Sequence, residues 1–239
     1  MKNNRFVRTS ALLGNEAMEK IKSSSVMIVG LGAVGGYALE AIARSGVGNL
    51  VLVDFDEFDE TNINRQILAL SSTIGKKKTQ IALERVKEIN PDCNVIIKDM
   101  FVDENNVDEL LSSNPDFVID AIDSIKPKCM LIKALIDKNI DFISSMGAAL
   151  KTDTESIKIV KLNQTQNCSM ARNVRQNLKK LGVDISRVTC VFSDEQISLP
   201  ASAITLTDKG QKNILGSLPT ITAIFGLTMA NYVIKQLIK

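Results

Sequence analysis

The sequence predicts an α/β protein built on a doubly wound, mostly parallel, Rossmann-like sheet with a C-terminal antiparallel extension. Short apolar runs alternate with helical patterns over the first 150 residues, which is typical of a parallel sheet covered by helices. The first run, 26–30, leads directly into a glycine-rich turn and another helical pattern. After Gly147 this alternation stops, and 156–162 alternates apolar residues with lysines, as a half-exposed antiparallel strand does.

The helices are predicted from apolar residues that recur every three or four positions. They cover 5–22, 34–44, 76–89, 103–111, 126–138 and 169–181, and a last helix follows 217. Breaks such as Gly46 and the Asn90-Pro91 pair end them. The strands are predicted from short runs rich in Val, Ile and Leu. They cover 26–30, 49–54, 94–98, 117–121, 141–146, 156–162 and 187–192. We expect long irregular connections at 55–74 and 193–217.

Composition limits the possible chemistry. The 239 residues contain 29 Lys and Arg against 27 Asp and Glu, so net charge does not indicate a nucleic-acid or membrane partner. Histidine is absent, which removes the commonest general base and any Ser-His or Cys-His pair. The four cysteines lack C-x-x-C spacing, and the N-terminus lacks the apolar core of a signal peptide. We therefore expect a cytoplasmic protein with reduced thiols.

One segment has the length of a membrane span. Residues 214–234 carry no charged side chain and could cross a bilayer. The segment also contains Pro219, Asn231, two glycines and several hydroxyl side chains. We predict a buried or dimer-interface helix here, with no stable membrane insertion.

The glycine-rich turn is the first candidate binding element. Gly30, Gly32 and Gly35 have the G-x-G-x-x-G spacing. In such a unit the first glycine permits a tight turn, the second lets the backbone approach a phosphate, and the third lets the helix pack on the strand. The free N–H groups of the helix N-terminus then favour an anion. A dehydrogenase, a methyltransferase and an adenylating enzyme all fit this pattern.

The residues that follow the second predicted strand favour a triphosphate. Asp54 stands where such units place an acid on the ribose. Asp56 and Asn62 come next along the chain, followed by Asn64-Arg65-Gln66 and by Lys76, Lys77 and Lys78 at the start of a predicted helix. Arginine and lysine neutralise phosphate charge, and a carboxylate can hold Mg²⁺. Each residue also has a plain structural alternative, as a turn former or a solvated helix start.

A second acid pair, Asp120 and Asp123, ends the predicted strand 117–121. Ligands of doubly wound sheets bind beyond the carboxyl ends of the strands, so we expect both acids to face the nucleotide. Asp123 could instead cap the following helix.

These motifs together resemble a known family. The order G-L-G-A-V-G-G, V-D-F-D, N-I-N-R-Q, G-K-K-K and D-A-I-D-S is similar to that of the ubiquitin-activating-like adenylating enzymes. Within this superfamily, I-N-P-D-C, D-A-I-D-S-I-K-P-K-C and C-V-F-S-D-E resemble the tRNA threonylcarbamoyladenosine dehydratase branch. The resemblance implies one ThiF-type adenylating domain over 1–239. It would comprise a nucleotide-binding core at 23–150 and an extension at 151–239 toward the substrate and a second copy.

The resemblance also implies roles for single residues. The three glycines would line the phosphates of ATP, with Asp54 on the ribose and Asp56 near it. Asn64, Arg65 and Lys78 would contact the phosphates, and Asp123 would hold Mg²⁺. Arg8 would reach into the site of the other subunit of a homodimer, and Cys190 would be the candidate for a thioester intermediate. Cys190 could equally be a small buried residue on a strand.

The implied reaction is ATP-dependent cyclisation of threonylcarbamoyladenosine in tRNA through an acyl-adenylate, and a sulfur-transfer partner protein is possible. Eight Lys or Arg against three acids between residues 151 and 187 suit tRNA phosphates, although a solvated helix face has the same composition. One alternative is adenylation of the C-terminal glycine of a ubiquitin-like sulfur carrier; the absence of paired C-x-x-C motifs disfavours it. A non-catalytic nucleotide-binding homologue is another. A dehydrogenase is disfavoured, because it would have no role for Arg65 or Asp123.

Overall fold

The computed structural model describes residues 5–197, 206–207 and 213–239, in which parallel strands alternate with helices. The strands are β1 (Ser25–Val29), β2 (Asn49–Asp54), β3 (Asn94–Asp99), β4 (Phe117–Asp120), β5 (Phe142–Ser145), β6 (Ile157–Lys161), β7 (Thr189–Ser193), β8 (Leu206–Thr207) and β9 (Asn213–Ile214). The helices are α1 (Val7–Leu13), α2 (Asn15–Ser23), α3 (Gly35–Arg44), α4 (Lys78–Ile89), α5 (Val107–Leu110), α6 (Ile125–Asp137), α7 (Ser169–Lys180) and α8 (Pro219–Leu237).

Seven strands form one sheet in the order β3-β2-β1-β4-β5-β7-β6. All pairings are parallel except that of β6 with β7, where Val160 lies opposite Cys190 in an antiparallel register. The strands β8 and β9 form a separate antiparallel pair. The predicted doubly wound, mostly parallel sheet with a C-terminal antiparallel extension is confirmed.

The central strands are apolar on both faces because helices cover both. In β1, Val26 and Ile28 pack with α3, α4 and α8. The intervening residues Met27 and Val29 pack with α5 and α6 on the other face. This two-sided burial explains why the strand sequences are continuous apolar runs rather than alternating ones.

Three predicted elements differ from the structure. The helix predicted at 5–22 is two helices, because Gly14 has a φ of +86° and separates α1 from α2. The helix predicted at 103–111 shrinks to α5 and a 3₁₀ turn, because Asp103 and Asn106 side chains accept backbone N–H groups and close a turn before it. The predicted connection 193–217 contains β8 and β9; its parts at 198–205 and 208–212 lie outside the described residues.

The C-terminal helix α8 is a packed helix, as predicted. Ile221, Phe225, Met229 and Val233 are buried on it. Among the helices in the described part of the chain, none is long and apolar enough to cross a membrane. The helix lies close to the start of α3, because a Cβ at Gly226 would stand 2.4 Å from the carbonyl oxygen of Val34 and 2.9 Å from Cβ of Tyr37.

This close packing gives a stability prediction. Gly226→Ala places a methyl group against the backbone of Val34, so α8 must move away from α3. We expect a loss of about 1–3 kcal/mol in the free energy of unfolding, measured by urea denaturation. The control is Leu227→Ala on the same helix; Leu227 is 46% exposed, and we expect a change within about 0.5 kcal/mol. Equal stability of the two variants would contradict the packing account.

Candidate active site

The candidate site lies at the carboxyl ends of β1, β2 and β4. Strand β1 pairs with β2 on one side and with β4 on the other, and Val29 is level with Val53 and Asp120. The parallel register therefore brings the glycine turn after β1 next to the residues that end β2 and β4. These are the segments that the sequence predicts to bind one ligand, and the fold brings them together.

The three motif glycines have different physical roles in the turn. Gly30 has a φ of +92°, and a Cβ there would lie 2.7 Å from the carbonyl oxygen of Ala121. A Cβ at Gly35 would lie 1.8 Å from the carbonyl oxygen of Gly30, so the helix start and the turn touch through their backbones. A Cβ at Gly32 would meet only the Gln66 carboxamide, at 3.8 Å. Gly32 thus leaves space for a phosphate. The glycine turn and the start of α3 therefore fit an anionic nucleotide.

Asp54 holds the turn in shape. Its Oδ2 accepts a hydrogen bond of 2.6 Å from the backbone N–H of Leu31, and its Oδ1 accepts one of 3.0 Å from the N–H of Asp56. The carboxylate therefore ties the end of β2 to the glycine turn. A ribose contact for Asp54 stays a prediction.

Asp56 and Lys78 form the ion pair of the site. Lys78 Nζ lies 2.7 Å from Asp56 Oδ2, and the lysine side chain is almost fully buried while Asp56 is about half-exposed. Lys78 Nζ also lies 5.8 Å from the centre of the Phe58 ring. Burial raises the pKa of Asp56, but the hydrogen bond and charge of Lys78 outweigh it and hold that pKa below its usual range. The pair fixes the Lys78 amine close to the end of β2, whose last residue, Asp54, contacts the glycine turn.

Asn64 and Arg65 lie on a tight turn between β2 and α4. Arg65 Nη1 donates to the carbonyl oxygen of Thr61 at 2.8 Å and to Asn64 Oδ1 at 2.9 Å. Asn64 Nδ2 donates to the carbonyl oxygen of Ser217 at 3.3 Å. The turn is thereby joined to the segment that leads into α8. Both acceptors of Arg65 in these bonds are uncharged, so the bonds leave its positive charge available to an anion.

The two aspartates after β4 have separate environments, which corrects the expectation that both face the nucleotide. Asp120 is 0% exposed, and its Oδ2 accepts from Lys128 Nζ at 2.7 Å and from Ser144 Oγ at 2.6 Å. Asp123 is exposed, and its Oδ1 accepts only from Ser124 Oγ among the described residues. The helix N-cap is Ser124, so Asp123 does not cap α6.

The acidic groups of this edge can share a cation with phosphates but do not enclose one. In the described ranges no three Cys, Asp or Glu side chains converge into a metal site. Mg²⁺ in nucleotide sites is usually held by one or two carboxylates together with substrate phosphates. The exposed carboxylate of Asp123 fits that donor set. Mg²⁺ at Asp123 stays a prediction.

Arg8 lies at the opposite edge of the molecule from the glycine turn. Its helix is anchored by Arg5, which donates to the carbonyl oxygen of Glu88 at 2.8 Å, and by Phe6, which lies 3.3 Å from a Cβ at Gly46. Glu88 and Gly46 both belong to segments that lead into the amino ends of strands. The structure therefore does not bring Arg8 to the other site residues of its own chain.

Cys190 does not have the environment of a nucleophile. It is 0% exposed on β7 and packs among apolar residues of α6 and α7. Burial, with a further contribution from Cys168, raises the pKa of the Cys190 thiol to about 12. A neutral, enclosed thiol is inert. The geometry supports the packing alternative for Cys190, and the thioester role stays a prediction.

Sequence reasoning missed three features of this edge. Phe55 and Phe101 follow β2 and β3 and meet edge to face, with ring centres 5.1 Å apart and both rings about half-exposed. Phe55 directly follows Asp54, and this position next to a predicted site residue was a signal in the sequence. Phe101 had no such signal. Lys128 carries a buried charge. Gln66 belongs to the Asn64-Arg65-Gln66 stretch that the sequence analysis singled out, but the burial of its carboxamide is revealed only by the tertiary structure.

The fold and this edge define a nucleotide-binding α/β protein of the adenylating type. The sequence model of the ThiF family matches residues 4–239, and the chain belongs to that family. It is 37% identical to a tRNA threonylcarbamoyladenosine dehydratase of Bacillus subtilis (strain 168), over 98% of this chain and 94% of the relative. The dehydratase of Escherichia coli (strain K12) is 35% identical, over 98% and 93%.

A solved structure has the same fold. The crystal structure of the E. coli tRNA N6-threonylcarbamoyladenosine dehydratase in complex with AMP superimposes with a TM-score of 0.89 at 34% identity, over 98% of this chain and 93% of that one. The same enzyme has also been solved in complex with ATP.

The buried thiol gives a prediction on chemistry. We expect Cys190→Ala to retain turnover and to lose about 1 kcal/mol of stability, because only a small buried group is removed. In the native protein at pH 8 the Cys190 thiol should not react with a disulfide reagent, and it should react once the chain is unfolded in urea. Loss of turnover with unchanged stability would restore a chemical role for this residue.

Proposed function

We propose that the protein is an ATP-dependent tRNA threonylcarbamoyladenosine dehydratase. The observation that carries the proposal is the 37% identity to a dehydratase over 98% of the chain, together with an open glycine turn at the carboxyl ends of β1, β2 and β4. The reaction joins two groups of one modified nucleoside and removes one water, with ATP converted to AMP and pyrophosphate.

The first step activates a carboxylate, which is a poor electrophile. A carboxylate oxygen of the threonylcarbamoyl group attacks the α-phosphorus of ATP, and pyrophosphate leaves. The product is a mixed anhydride with AMP. Negative charge grows on the phosphates during this step, and Lys78 and Arg65 are the cations available beside the turn. Mg²⁺ held by Asp123 would neutralise further phosphate charge.

The second step closes the ring. A nucleophilic atom of the same nucleoside attacks the acyl carbon, and AMP leaves with the electrons of the anhydride bond. The nucleophile is already tethered to the electrophile, so proximity supplies much of the rate. This explains how a chain without histidine can carry out the reaction. No thioester is needed, in agreement with the burial of Cys190.

We infer that the chain works as a homodimer. None of the residues of α1 is buried, and its outer side carries the apolar residues Leu12, 82% exposed, and Val7, 56% exposed. A second copy would cover this apolar face, and Arg8 on the same helix would then act in the other subunit. On this view 151–239 serves the substrate and the second copy, and 23–150 binds the nucleotide.

The basic face of α7 supports a tRNA contact in this extension. One side of the helix is buried through Ala171, Val174 and Leu178, and Arg172 and Lys179 point to solvent on the other. The helix begins near the end of β5, because a Cβ at Gly147 would lie 3.4 Å from Met170 Cβ. The basic face therefore starts at the edge that holds the nucleotide residues.

The reaction has a direct test. Purified protein is incubated with Mg²⁺, ATP and tRNA that carries threonylcarbamoyladenosine, and the nucleosides are analysed by mass spectrometry. We expect that nucleoside to lose the mass of one water, and Asp123→Asn to lower the rate at least about a hundredfold because phosphate charge is then poorly neutralised. Asp92→Asn, an exposed acid at the other edge, is the matched control and should have wild-type activity.

An unchanged nucleoside, combined with pyrophosphate release on addition of a ubiquitin-like carrier protein, would overturn the proposal in favour of carrier adenylation. An unchanged nucleoside without pyrophosphate release under either condition would indicate a nucleotide-binding homologue without this activity.

The tRNA contact gives a second prediction. The double variant Arg172→Glu, Lys179→Glu should raise the KM for tRNA about tenfold or more and lower the salt dependence of binding, because two phosphate contacts are lost. ATP binding should stay the same. Lys235→Glu, a charge reversal on α8, is the control and should leave the KM for tRNA unchanged. An unchanged KM in the double variant would show that tRNA binds at another face of the protein.

A further inference from the structure

Gln66 has an unusual environment at the edge of the candidate site. Its side chain is only 7% exposed, and its Oε1 is fully buried without a hydrogen-bond partner. Among the described residues it is the one buried side-chain atom of this kind. Buried polar groups are normally paired, because an unpaired one loses its bonds to water without replacement. An exception therefore needs a reason.

The backbone around Gln66 fixes the place from which its side chain starts. The Gln66 N–H donates to the carbonyl oxygen of Asn62 at 2.9 Å, and its carbonyl oxygen accepts from the N–H of Ala69 at 2.9 Å. The next residue, Ile67, lies with its Cγ2 3.2 Å from a Cβ at Gly36, so this turn packs directly on the start of α3. Gln66 is held against the glycine turn by both flanking segments.

The donor end of the carboxamide faces the open part of the turn. Nε2 lies 3.8 Å and Cδ 4.0 Å from the place of a Cβ at Gly32, and Oε1 is farther away. Gly32 is the motif glycine that leaves room for a ligand. The nitrogen with its two N–H groups is thus aimed at the space beside Gly32, and the oxygen is turned into the protein.

We propose that Gln66 is a positioning residue for ATP, and that its Nε2 donates a hydrogen bond to a phosphate oxygen beside Gly32. This inference rests on the proposed function, because it presumes that the site binds ATP. A carboxamide adds a donor without adding charge, whereas Lys78 and Arg65 supply the charge. The unpaired Oε1 follows from this arrangement, since the orientation that offers the nitrogen to the phosphate buries the oxygen.

The test compares stability and binding in two Gln66 variants of the full chain. Gln66→Met keeps the volume and removes both the unpaired oxygen and the donor. We expect the nucleotide-free variant to melt about 2–4 °C higher, because a buried unpaired group is lost. ATP should bind about tenfold to a hundredfold more weakly by calorimetry, and adenosine should bind as in the wild type, because only the phosphate contact is lost.

Gln66→Glu keeps the shape and places a negative charge beside the phosphates. It should weaken ATP binding at least as much as Gln66→Met does. The loss of affinity should become smaller as the pH falls, because the carboxyl group is then protonated. Gln80→Met, an exposed glutamine on α4, is the matched control and should change neither ATP nor adenosine binding. A structural role alone would not separate ATP from adenosine.

The outcomes distinguish the two proposals. Wild-type ATP affinity in Gln66→Met, with ATP bound normally by the wild type, would overturn the role of Gln66 and leave the proposed function intact. Equal weakening of ATP and adenosine would also overturn it, since the site as a whole would then have changed. Absence of ATP binding by the wild-type protein would overturn both.

Discussion

The contact between the backbones of Gly30 and Gly35 is the constraint on which the site depends. A side chain at Gly35 would stand 1.8 Å from the Gly30 carbonyl oxygen, so α3 can begin next to the end of β1 only if neither residue carries one. This approach aims the free N–H groups of the helix start at the edge of the sheet. It also sets the place of Gly32, which faces open space, and of Leu31, whose N–H binds Asp54. Gly226 extends the constraint to α8, which packs on the same helix start.

Two ion pairs at this edge differ in how far their side chains are buried. Asp120 and Lys128 are both 0% exposed, and Ser144 shares the same carboxylate oxygen. Removing either partner would leave an uncompensated buried charge, so this pair is structural. It fixes the end of β4, from which Asp123 reaches solvent. Asp56 and Lys78 meet at the same distance, but Asp56 is half-exposed. Solvent therefore reaches this second pair through Asp56.

The candidate site residues are divided between the two edges of the sheet. All of the nucleotide residues lie after the carboxyl ends of β1, β2 and β4. Arg8 is on α1, which is anchored by Arg5 to the end of α4 at the other edge. Arg8 therefore lies away from the candidate site of its own chain, and a role for it in a second copy is a proposal. The exposed apolar face of α1 is consistent with that arrangement.

The sequence by itself determined the fold class, because local patterns set it. Apolar runs between helical patterns specify a parallel sheet, and parallel strands bring their carboxyl ends to one edge, so the glycine turn and the residues that end β2 and β4 could be placed at one edge before any contact was known. Local signals were insufficient where a single residue interrupts a helical pattern, as Gly14 does within the helix predicted at 5–22. Burial was decided only by the tertiary structure. Asp120 and Asp123 are similar acids three positions apart, yet one is enclosed by Lys128 and Ser144 and the other is exposed. The inert thiol of Cys190 and the unpaired carboxamide of Gln66 also depend on neighbours that are distant in the chain, and no local pattern encodes them.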